Sequence, residues 1–167
     1  NDVYIPYLDN YSRTQIYYGG SSSGKSVFLA QRCIIDILKG GRNYLVCRAV
    51  GRTIRKSVFN ELNKVIRSFG VSHLFKINQS DMFMTCANGY QILFTGLDDV
   101  EKVKSITPEK GVITDIHIEE ATECERGDIL DLYKRQRGGD ESTSKRMTLS
   151  FNPILQSHWL YEQFFAG

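Results

Sequence analysis

The segment from Gly19 to Ser26 has the residue types and the spacing of a phosphate-binding loop, G-x-x-x-x-G-K-S. Glycines let the backbone curl so that successive N–H groups point at phosphate oxygens, and a helix that begins here adds its positive N-terminal end. In such a loop Lys25 reaches the β and γ phosphates, and the Ser26 hydroxyl takes one position around Mg²⁺. We therefore predict a nucleoside triphosphate site, rather than a Ser/Gly-rich surface turn. Its residues are Gly19, Gly20, Ser21, Ser22, Ser23, Gly24, Lys25 and Ser26.

Two adjacent carboxylates, Glu119 and Glu120, follow an apolar segment that ends at Ile118. Hydrolysis of a nucleoside triphosphate needs an acid that orients Mg²⁺ and a base that polarises the attacking water. Adjacent residues at the end of a strand point in different directions, so the two acids can serve both purposes. We predict that Glu119 supports the metal and that Glu120 is the general base. The alternative is a solvated helix start, where acids suit the helix dipole.

Three further polar residues lie in or directly after predicted strands, and two of them are candidates for the active site. Asn152 follows a strand whose end is expected near the γ-phosphate, where it would sense the phosphate or align the water. An ordinary Asn-Pro turn is the alternative. Arg48 ends the second strand, which places it on the active-site edge, where it would stabilise charge in the transition state. A solvated surface charge is the alternative. His117 is predicted to be a packing residue rather than a catalytic one.

The elements that must position these residues follow from the apolar pattern. Strands and helices alternate in the first half of the chain, which predicts a parallel sheet with right-handed crossovers. Asn88-Gly89 lies between two apolar runs and predicts a hairpin with a type I′ turn or a slightly wider one. Strands are predicted at 16–18, 44–47, 82–86, 90–94, 112–118 and 146–151, and helices after 26, after 51, at 125–137 and near 157–165. The fold class is therefore α/β, with a mostly parallel central sheet flanked by helices and an inserted hairpin.

Composition and charge limit the possible classes. The chain has 167 residues, of which 41% are hydrophobic, and 21 basic against 19 acidic residues give a net charge of +2. These values indicate one soluble globular domain and exclude wholesale disorder and a histone-like coat for nucleic acid. The four cysteines are widely spaced, which favours buried thiols over a metal site or a disulfide framework. No apolar run approaches the ~20 residues of a membrane helix.

A local basic face remains compatible with the small net charge. Such a face suits salt-sensitive contact with a nucleic-acid backbone rather than base recognition. The candidates are Lys102, Lys104, Lys110, Lys134, Arg135, Arg137, Lys145 and Arg146.

Taken together and in order, these motifs resemble the N-terminal ATPase domain of the large terminase subunit of tailed bacteriophages, a DNA-packaging motor. The resemblance covers nearly the whole chain and rests on an ordered set of segments rather than on the common phosphate loop alone. The segments are Tyr18 to Ser26, Val46-Cys47-Arg48, Thr95 to Asp99, Ile118 to Thr122, Arg135-Gln136-Arg137 and Ser150 to Pro153. Many relatives carry an arginine within the phosphate loop, where this chain has Ser21 and its neighbouring serines.

The resemblance implies a P-loop NTPase of the additional-strand, catalytic-glutamate type that binds ATP and Mg²⁺. It implies that ATP hydrolysis powers translocation of double-stranded DNA into a procapsid. The implied partners are double-stranded DNA, a portal protein, a small terminase subunit and further copies of the chain in a ring. The implied location is the cytoplasm of an infected bacterium, transiently at the portal. The family's C-terminal nuclease domain would lie outside these 167 residues.

The resemblance also implies that adenine is bound just upstream of the phosphate loop. Tyr11, Arg13 and Gln15 are the candidates, and Arg13 is counted among the nucleotide-binding residues. Two other interpretations of the chain stay open. One is a different P-loop enzyme, such as a helicase-like or chromosome-maintenance ATPase. The other is a nucleotide-dependent interaction module that does not hydrolyse.

Overall fold

The computed structural model describes residues 2–20, 24–136, 143–152 and 158–164, which form seven strands and five α-helices with short 3-10 turns between them. The strands are β1 Thr14–Tyr18, β2 Asn43–Arg48, β3 Phe75–Asn78, β4 Phe83–Cys86, β5 Gln91–Gly96, β6 Ile113–Glu119 and β7 Arg146–Phe151. The helices are α1 Lys25–Lys39, α2 Val58–Ser68, α3 Val100–Ser105, α4 Arg126–Gln136 and α5 Trp159–Phe164.

All seven strands belong to one sheet with the order β1-β7-β6-β2-β5-β4-β3. The first five strands in that order pair in parallel, and β4 and β3 extend the sheet in antiparallel fashion. Strand β7 lies between the strand that leads into the phosphate loop and the strand that ends in Glu119. The predicted mostly parallel sheet, with an additional strand between these two, is therefore confirmed.

Helices cover both faces of the sheet and divide the core into two clusters. Helices α1 and α2 pack on one face, where Ile34, Ile37, Leu62 and Ile66 meet side chains of the central strands. Residues of α4 and α5 pack on the other face, against Leu45, Ile118 and Leu149 among others. Because both faces are covered, residues 44–47 and 146–151 are almost continuously buried, as expected of central parallel strands.

The hairpin between β4 and β5 forms, and its turn is the slightly wider of the two predicted forms rather than the type I′ turn. The Gly89 amide donates to the Cys86 carbonyl and the Cys86 amide donates to the Tyr90 carbonyl. Gly89 has φ 93°, whereas Asn88 is not among the residues with positive φ. The loop is therefore the wider, three-residue form, a type I turn followed by a left-handed glycine. Strand β3, which pairs with β4, was not predicted because its four residues follow no clear alternation.

A buried ion-pair network joins α1, β2, β6 and β7 at the edge where the parallel strands begin. Arg146 is fully buried and contacts the carboxylates of Asp36 and Asp115. Arg42 donates to Asp115 over 2.7 Å, and the Tyr44 hydroxyl donates to Asp36 over 2.5 Å. The assignment of Arg146 to an exposed basic face was therefore wrong, because two aspartates on neighbouring elements bring it into the core.

The cysteines, the possible metal ligands and the apolar helices can be assessed over the described part of the chain. Cys33, Cys47, Cys86 and Cys124 are all buried free thiols, as predicted. Across the residues the structure describes, no group of three or more histidine, cysteine or acidic side chains could hold a metal ion. None of the described helices is long and apolar enough to cross a membrane.

Candidate active site

The phosphate loop connects the end of β1 to the start of α1, as the sequence predicts. Gly24 immediately precedes the helix with φ 80°, a left-handed conformation that glycine adopts without steric cost. The Gly24 carbonyl accepts from the amide of Phe28, which begins the helical hydrogen bonding. Gly19 and Gly20 lie at the entry of the loop, and the predicted residues Ser21, Ser22 and Ser23 lie outside the described residues.

Lys25 and Ser26 occupy the first turn of α1. The Lys25 ammonium is buried and donates to the Gly19 carbonyl over 2.9 Å and to Oδ1 of Asn152 over 3.0 Å. Ser26 is exposed at the helix start and borders a small cavity that Glu119 also lines. The loop lysine and the predicted sensor Asn152 are thus brought into direct contact.

Glu119 ends β6 on the face that α1 and α2 cover. Its Oε2 atom is buried and has no hydrogen-bond partner within the described part of the chain. Burial raises the pKa of Glu119, while the nearby guanidinium of Arg48 acts in the opposite direction and the Glu120 and Glu61 carboxylates add to the rise. A cavity of about 20 Å³ beside it is also lined by Ser26 and Glu61. Glu61, on α2, was not predicted as a neighbour of this site.

Glu120 follows directly and adopts a left-handed backbone conformation, with φ 54° and ψ 49°. Such a conformation costs a residue with a Cβ roughly 1–2 kcal/mol. Strain of this kind concentrates at functional sites, where the surrounding structure enforces it. The turn separates the directions of the two neighbouring acids, because Glu119 is still within β6 whereas Glu120 begins a 3-10 turn over Ala121–Glu123.

Arg48 ends β2 at the same edge of the sheet. Cys47 pairs with Ile118, so Arg48 and Glu119 are the next residues on adjacent parallel strands. An Nη atom of Arg48 donates to the Thr53 carbonyl over 3.4 Å, and its Nε is buried without a hydrogen bond in the described part of the structure. The structure therefore brings Arg48 beside Glu119, where it acts on the charge of that carboxylate.

His117 is buried in β6, and its Nε2 lies 3.0 Å from Oγ of Ser150 in β7. Burial and the nearby Arg32 cation lower the pKa of His117 to about 3, so the imidazole is neutral at pH 7. This pairing ties the strand of the two acids to the strand that ends before Asn152. His117 thus packs between strands, as predicted.

The Thr95 to Asp99 segment packs closely against the turn after β2. A Cβ on Gly96 would lie 2.2 Å from the Gly51 amide nitrogen, so this position admits no side chain without displacement of backbone. The Asp98 carboxylate accepts from the Gly51 amide over 3.0 Å. The segment therefore holds in place the backbone at Gly51, in the turn that follows Arg48.

Two of the three adenine candidates, Tyr11 and Arg13, are engaged in contacts away from the phosphate loop, whereas Gln15 lines a cavity along β1 together with Tyr17. Arg13 precedes β1, at the opposite end of that strand, and donates to Oε1 of Gln136 over 2.6 Å and to the Tyr133 carbonyl. Tyr11 stacks with Arg42 and Arg146 of the buried ion-pair network. Gln15 is buried and donates to the Asn10 and Ser12 carbonyls. The structure engages the Arg13 guanidinium with residues of α4, and its contact with nucleotide stays a prediction.

An aromatic cluster beside β1 and the start of α1 was not predicted from the sequence. The Tyr4 ring stacks on Phe28, one turn into α1, with centroids 4.8 Å apart. Tyr17 also contacts Phe28, and Tyr7 meets Tyr17 edge to face at 6.2 Å. A cavity of about 470 Å³ along β1 is lined by Tyr4, Tyr7 and Tyr17. The available signal was the density of tyrosines in the polar segment before β1.

Comparisons with known proteins agree with this geometry. The family described as phage terminase large subunit matches residues 11–167. A terminase large subunit of the PBSX phage of Bacillus subtilis (strain 168) is 31% identical over 166 residues, which are 99% of this chain and 37% of that protein. The chain thus spans little more than a third of the length of this relative.

Two solved structures show the same fold at low sequence identity. The large terminase of a thermophilic bacteriophage matches with a TM-score of 0.72 at 13% identity, over 92% of this chain and 37% of that one. The N-terminal domain of the DNA packaging ATPase from bacteriophage phi29 matches with a TM-score of 0.72 at 14% identity, over 98% and 84%. The chain belongs to the phage terminase large subunit family and has the P-loop NTPase fold of its ATPase domains.

Proposed function

We propose that this chain binds ATP with Mg²⁺ and hydrolyses it, as the domain that powers translocation of double-stranded DNA into a procapsid. One observation supports the hydrolytic part: at the edge where the parallel strands end, Lys25 contacts Asn152, Ser26 borders a cavity that Glu119 lines, and Glu120 follows directly in the chain. In open α/β sheets, ligands bind in the crevice outside this edge.

The residues present fit a divalent cation. The buried, unpartnered Oε2 of Glu119 is an acceptor that lacks a donor among the described residues, and Ser26 borders the same cavity. Mg²⁺ is bound through one or two carboxylates or hydroxyls together with water and substrate phosphates. Ser26 and Glu119 would hold it, and it would neutralise charge on the β and γ phosphates.

The chain's own groups would divide the remaining work. Lys25 would exchange its contacts with the Gly19 carbonyl and Asn152 for phosphate oxygens. Glu120, turned away from Glu119 by its left-handed backbone, would accept the proton of the attacking water. The Arg48 cation would stabilise the negative charge of Glu119. Asn152 would lose its hydrogen bond from Lys25 when that ammonium binds phosphate, and so would sense whether nucleotide is bound. The aromatic cluster of Tyr4, Tyr7, Tyr17 and Phe28 would offer a stacking surface for the base.

The relatives support the substrate and the biological role. The large terminase of the thermophilic bacteriophage has been solved in complex with ATP-gamma-S and with ADP, and the phi29 protein is named a DNA packaging ATPase. Membership of the family supports a role with double-stranded DNA, a portal protein, a small terminase subunit and a homo-oligomeric ring in the cytoplasm of an infected bacterium. The same proposal includes a nuclease domain outside these 167 residues.

The test is the Glu120→Gln variant, assayed for phosphate release with Mg·ATP and for binding of ATP-gamma-S. Loss of a general base is expected to reduce turnover by about 10²–10⁴-fold while nucleotide binding is retained. Glu123→Gln, three residues further along and exposed, is the matched control and should keep wild-type turnover. Wild-type turnover in Glu120→Gln would remove Glu120 from the role of base.

Two rival functions need separate measurements. A helicase-like enzyme would separate the strands of a duplex, whereas a packaging motor moves along intact DNA, so a strand-separation assay distinguishes them. An interaction module would bind nucleotide without phosphate release, with or without DNA.

A further inference from the structure

We infer that the outer side of helix α2, with the turn that precedes it, is a contact surface for the phosphate backbone of duplex DNA. This α2 basic face consists of Arg52, Arg55, Lys56, Lys64 and Arg67. The inference rests on the proposed function, because that function makes DNA the partner. The location is new, since neither the sequence motifs nor the predicted basic face includes these five residues.

The charge of this surface is unbalanced. All five cations are exposed, and none of them forms an ion pair with another described residue, although Arg55 donates to the Gln79 carbonyl over 2.8 Å. The segment from residue 51 to residue 68 contains one acid, Glu61, which borders the cavity beside Ser26 and Glu119. Five cations against one acid make a local charge of +4, in a chain whose total is +2. An unpaired local excess of this kind is the electrostatic signature of a surface that meets a polyanion.

The geometry of α2 presents two of the five cations together, and the other three precede the helix. The helix buries Val58, Phe59, Leu62, Val65 and Ile66 against the sheet. Lys64 and Arg67 are three residues apart and so project from one side, which is exposed. The eleven residues of α2 span about 16 Å at 1.5 Å per residue. Duplex DNA carries one charge per roughly 1.7 Å of its axis, so several phosphates lie within that length.

Three residues of the basic face predicted from the sequence are buried or make other contacts, and Arg137 lies outside the described residues. Arg146 is buried, and Arg135 donates to the Val103 and Ile106 carbonyls. The Lys110 ammonium contacts the Asn88 carbonyl and the Tyr90 ring. The short segment that carries Lys102 and Lys104 has a net charge of −1, since it also contains Asp98, Asp99 and Glu101.

The chemistry of the α2 basic face favours nucleic acid over an acidic protein. Protein interfaces are centred on aromatic or aliphatic anchors that become buried on binding. The exposed residues within α2 are Asn60, Lys64, Arg67 and Ser68, all polar, and the nearest exposed apolar side chain is Phe69 beyond the end of the helix. Long cationic and amide side chains are the groups that contact phosphate and sugar.

The surface also adjoins the nucleotide site. Glu61 lies on the border between the buried and exposed sides of α2 and lines the cavity that contains Glu119. Arg52 and Arg55 follow Arg48, which lies beside Glu119, by four and seven residues. DNA held on the α2 basic face would therefore contact the same helix that borders the predicted metal-binding carboxylate.

The experiment compares two doubly substituted chains with wild type. In Lys64→Gln/Arg67→Gln the α2 basic face loses two cations. In the control, Lys104→Gln/Lys134→Gln, two exposed helix lysines outside it are neutralised. Binding of a short random-sequence duplex is measured by fluorescence anisotropy over a series of salt concentrations, in the presence of ATP-gamma-S. Each lost phosphate contact lowers the slope of log K against log salt by about 0.9, so the first variant should lose about 1.8 and the control almost none.

The outcomes separate this inference from the proposed function. Equal slopes for both variants and wild type would overturn the α2 basic face as a DNA contact. Tighter binding to poly-glutamate than to duplex, lost in the first variant, would overturn it in favour of an acidic protein partner. If the first variant loses DNA binding as expected while no form of the chain hydrolyses ATP, the surface stands and the hydrolytic proposal fails. Unchanged ATP turnover without DNA, together with an unchanged circular dichroism spectrum, excludes misfolding of the variant.

Discussion

The ammonium of Lys25 lies 3.0 Å from Oδ1 of Asn152, although 127 residues separate them in the sequence. The contact joins the first turn of α1 to the residue that follows β7. The same ammonium also donates to the Gly19 carbonyl, at the entry of the phosphate loop. Phosphate oxygens and Asn152 would therefore compete for one cation, which gives a physical route from nucleotide occupancy to the end of β7.

Substitutions at Asn152 should alter nucleotide affinity in opposite directions. Asn152→Asp would convert the present hydrogen bond between the Lys25 cation and a neutral amide into an ion pair, stronger by about 1 kcal/mol, and should weaken ATP-gamma-S binding by about fivefold. Asn152→Ala removes the competitor and should bind at least as tightly as wild type. Isothermal titration calorimetry measures both. Equal affinities of the two variants would show that the contact does not compete with nucleotide.

The left-handed backbone of Glu120 predicts a reversal of the usual stability order between alanine and glycine. Alanine keeps the steric cost of φ 54°, whereas glycine does not, so Glu120→Gly should be more stable than Glu120→Ala by about 1 kcal/mol. Glu123, which lies in the following 3-10 turn without a positive φ, is the control, where alanine should be the more stable. Urea unfolding measures all four variants, and alanine ahead of glycine at both positions would contradict the strain at Glu120.

His117 predicts a loss of stability in mild acid. Its pKa is lowered to about 3 in the folded chain, against about 6.5 in an unfolded one, so the unfolded chain binds the proton first as the pH falls. The stability that neutral His117 contributes to the free energy of unfolding is fully present above pH 6.5. It decreases below that pH by up to about 1.4 kcal/mol per pH unit, until the pH reaches about 3.

The difference between wild type and His117→Gln isolates this effect from the titration of carboxylates. The variant should lose less free energy of unfolding than wild type between about pH 7 and pH 5.5, as measured by urea unfolding at each pH. His73→Gln, at an exposed histidine, should follow wild type. Parallel pH profiles for wild type and His117→Gln would mean that His117 does not titrate as its burial requires.

Arg146 predicts the largest change in stability. Arg146→Met leaves the buried carboxylates of Asp36 and Asp115 without their shared cation, and removal of one partner from a buried pair costs about 3–5 kcal/mol. Lys39→Met is the control, because its pair with Asp9 is exposed and should contribute no more than about 1 kcal/mol. Chemical denaturation gives both values. A cost for Arg146→Met no greater than that for Lys39→Met would refute a structural role of the network.

The part of the fold that depends on short windows of sequence could be predicted. Glycine spacing with a following apolar stripe located the loop and α1, and the position of two acids after a buried strand located the end of β6. The hairpin was also predicted, and of its two predicted turns the slightly wider one forms, because Asn-Gly is compatible with a three-residue loop as well as with a two-residue one. Strand β3 was missed, since it is short and lies at a sheet edge.

The sequence by itself determined the class of chemistry, because a phosphate loop requires residues that are adjacent in the chain. The order of predicted strands also pointed to Asn152 and Arg48 as neighbours of the site, but only the tertiary structure decided which side chains contact each other there. It brought Asn152 to Lys25 and Arg48 to Glu119, took Arg13 to the far end of β1, and buried Arg146 between two aspartates. The physical reason is that charge pairing and burial depend on strand order and helix packing, and contacts between residues far apart in the chain leave no local pattern.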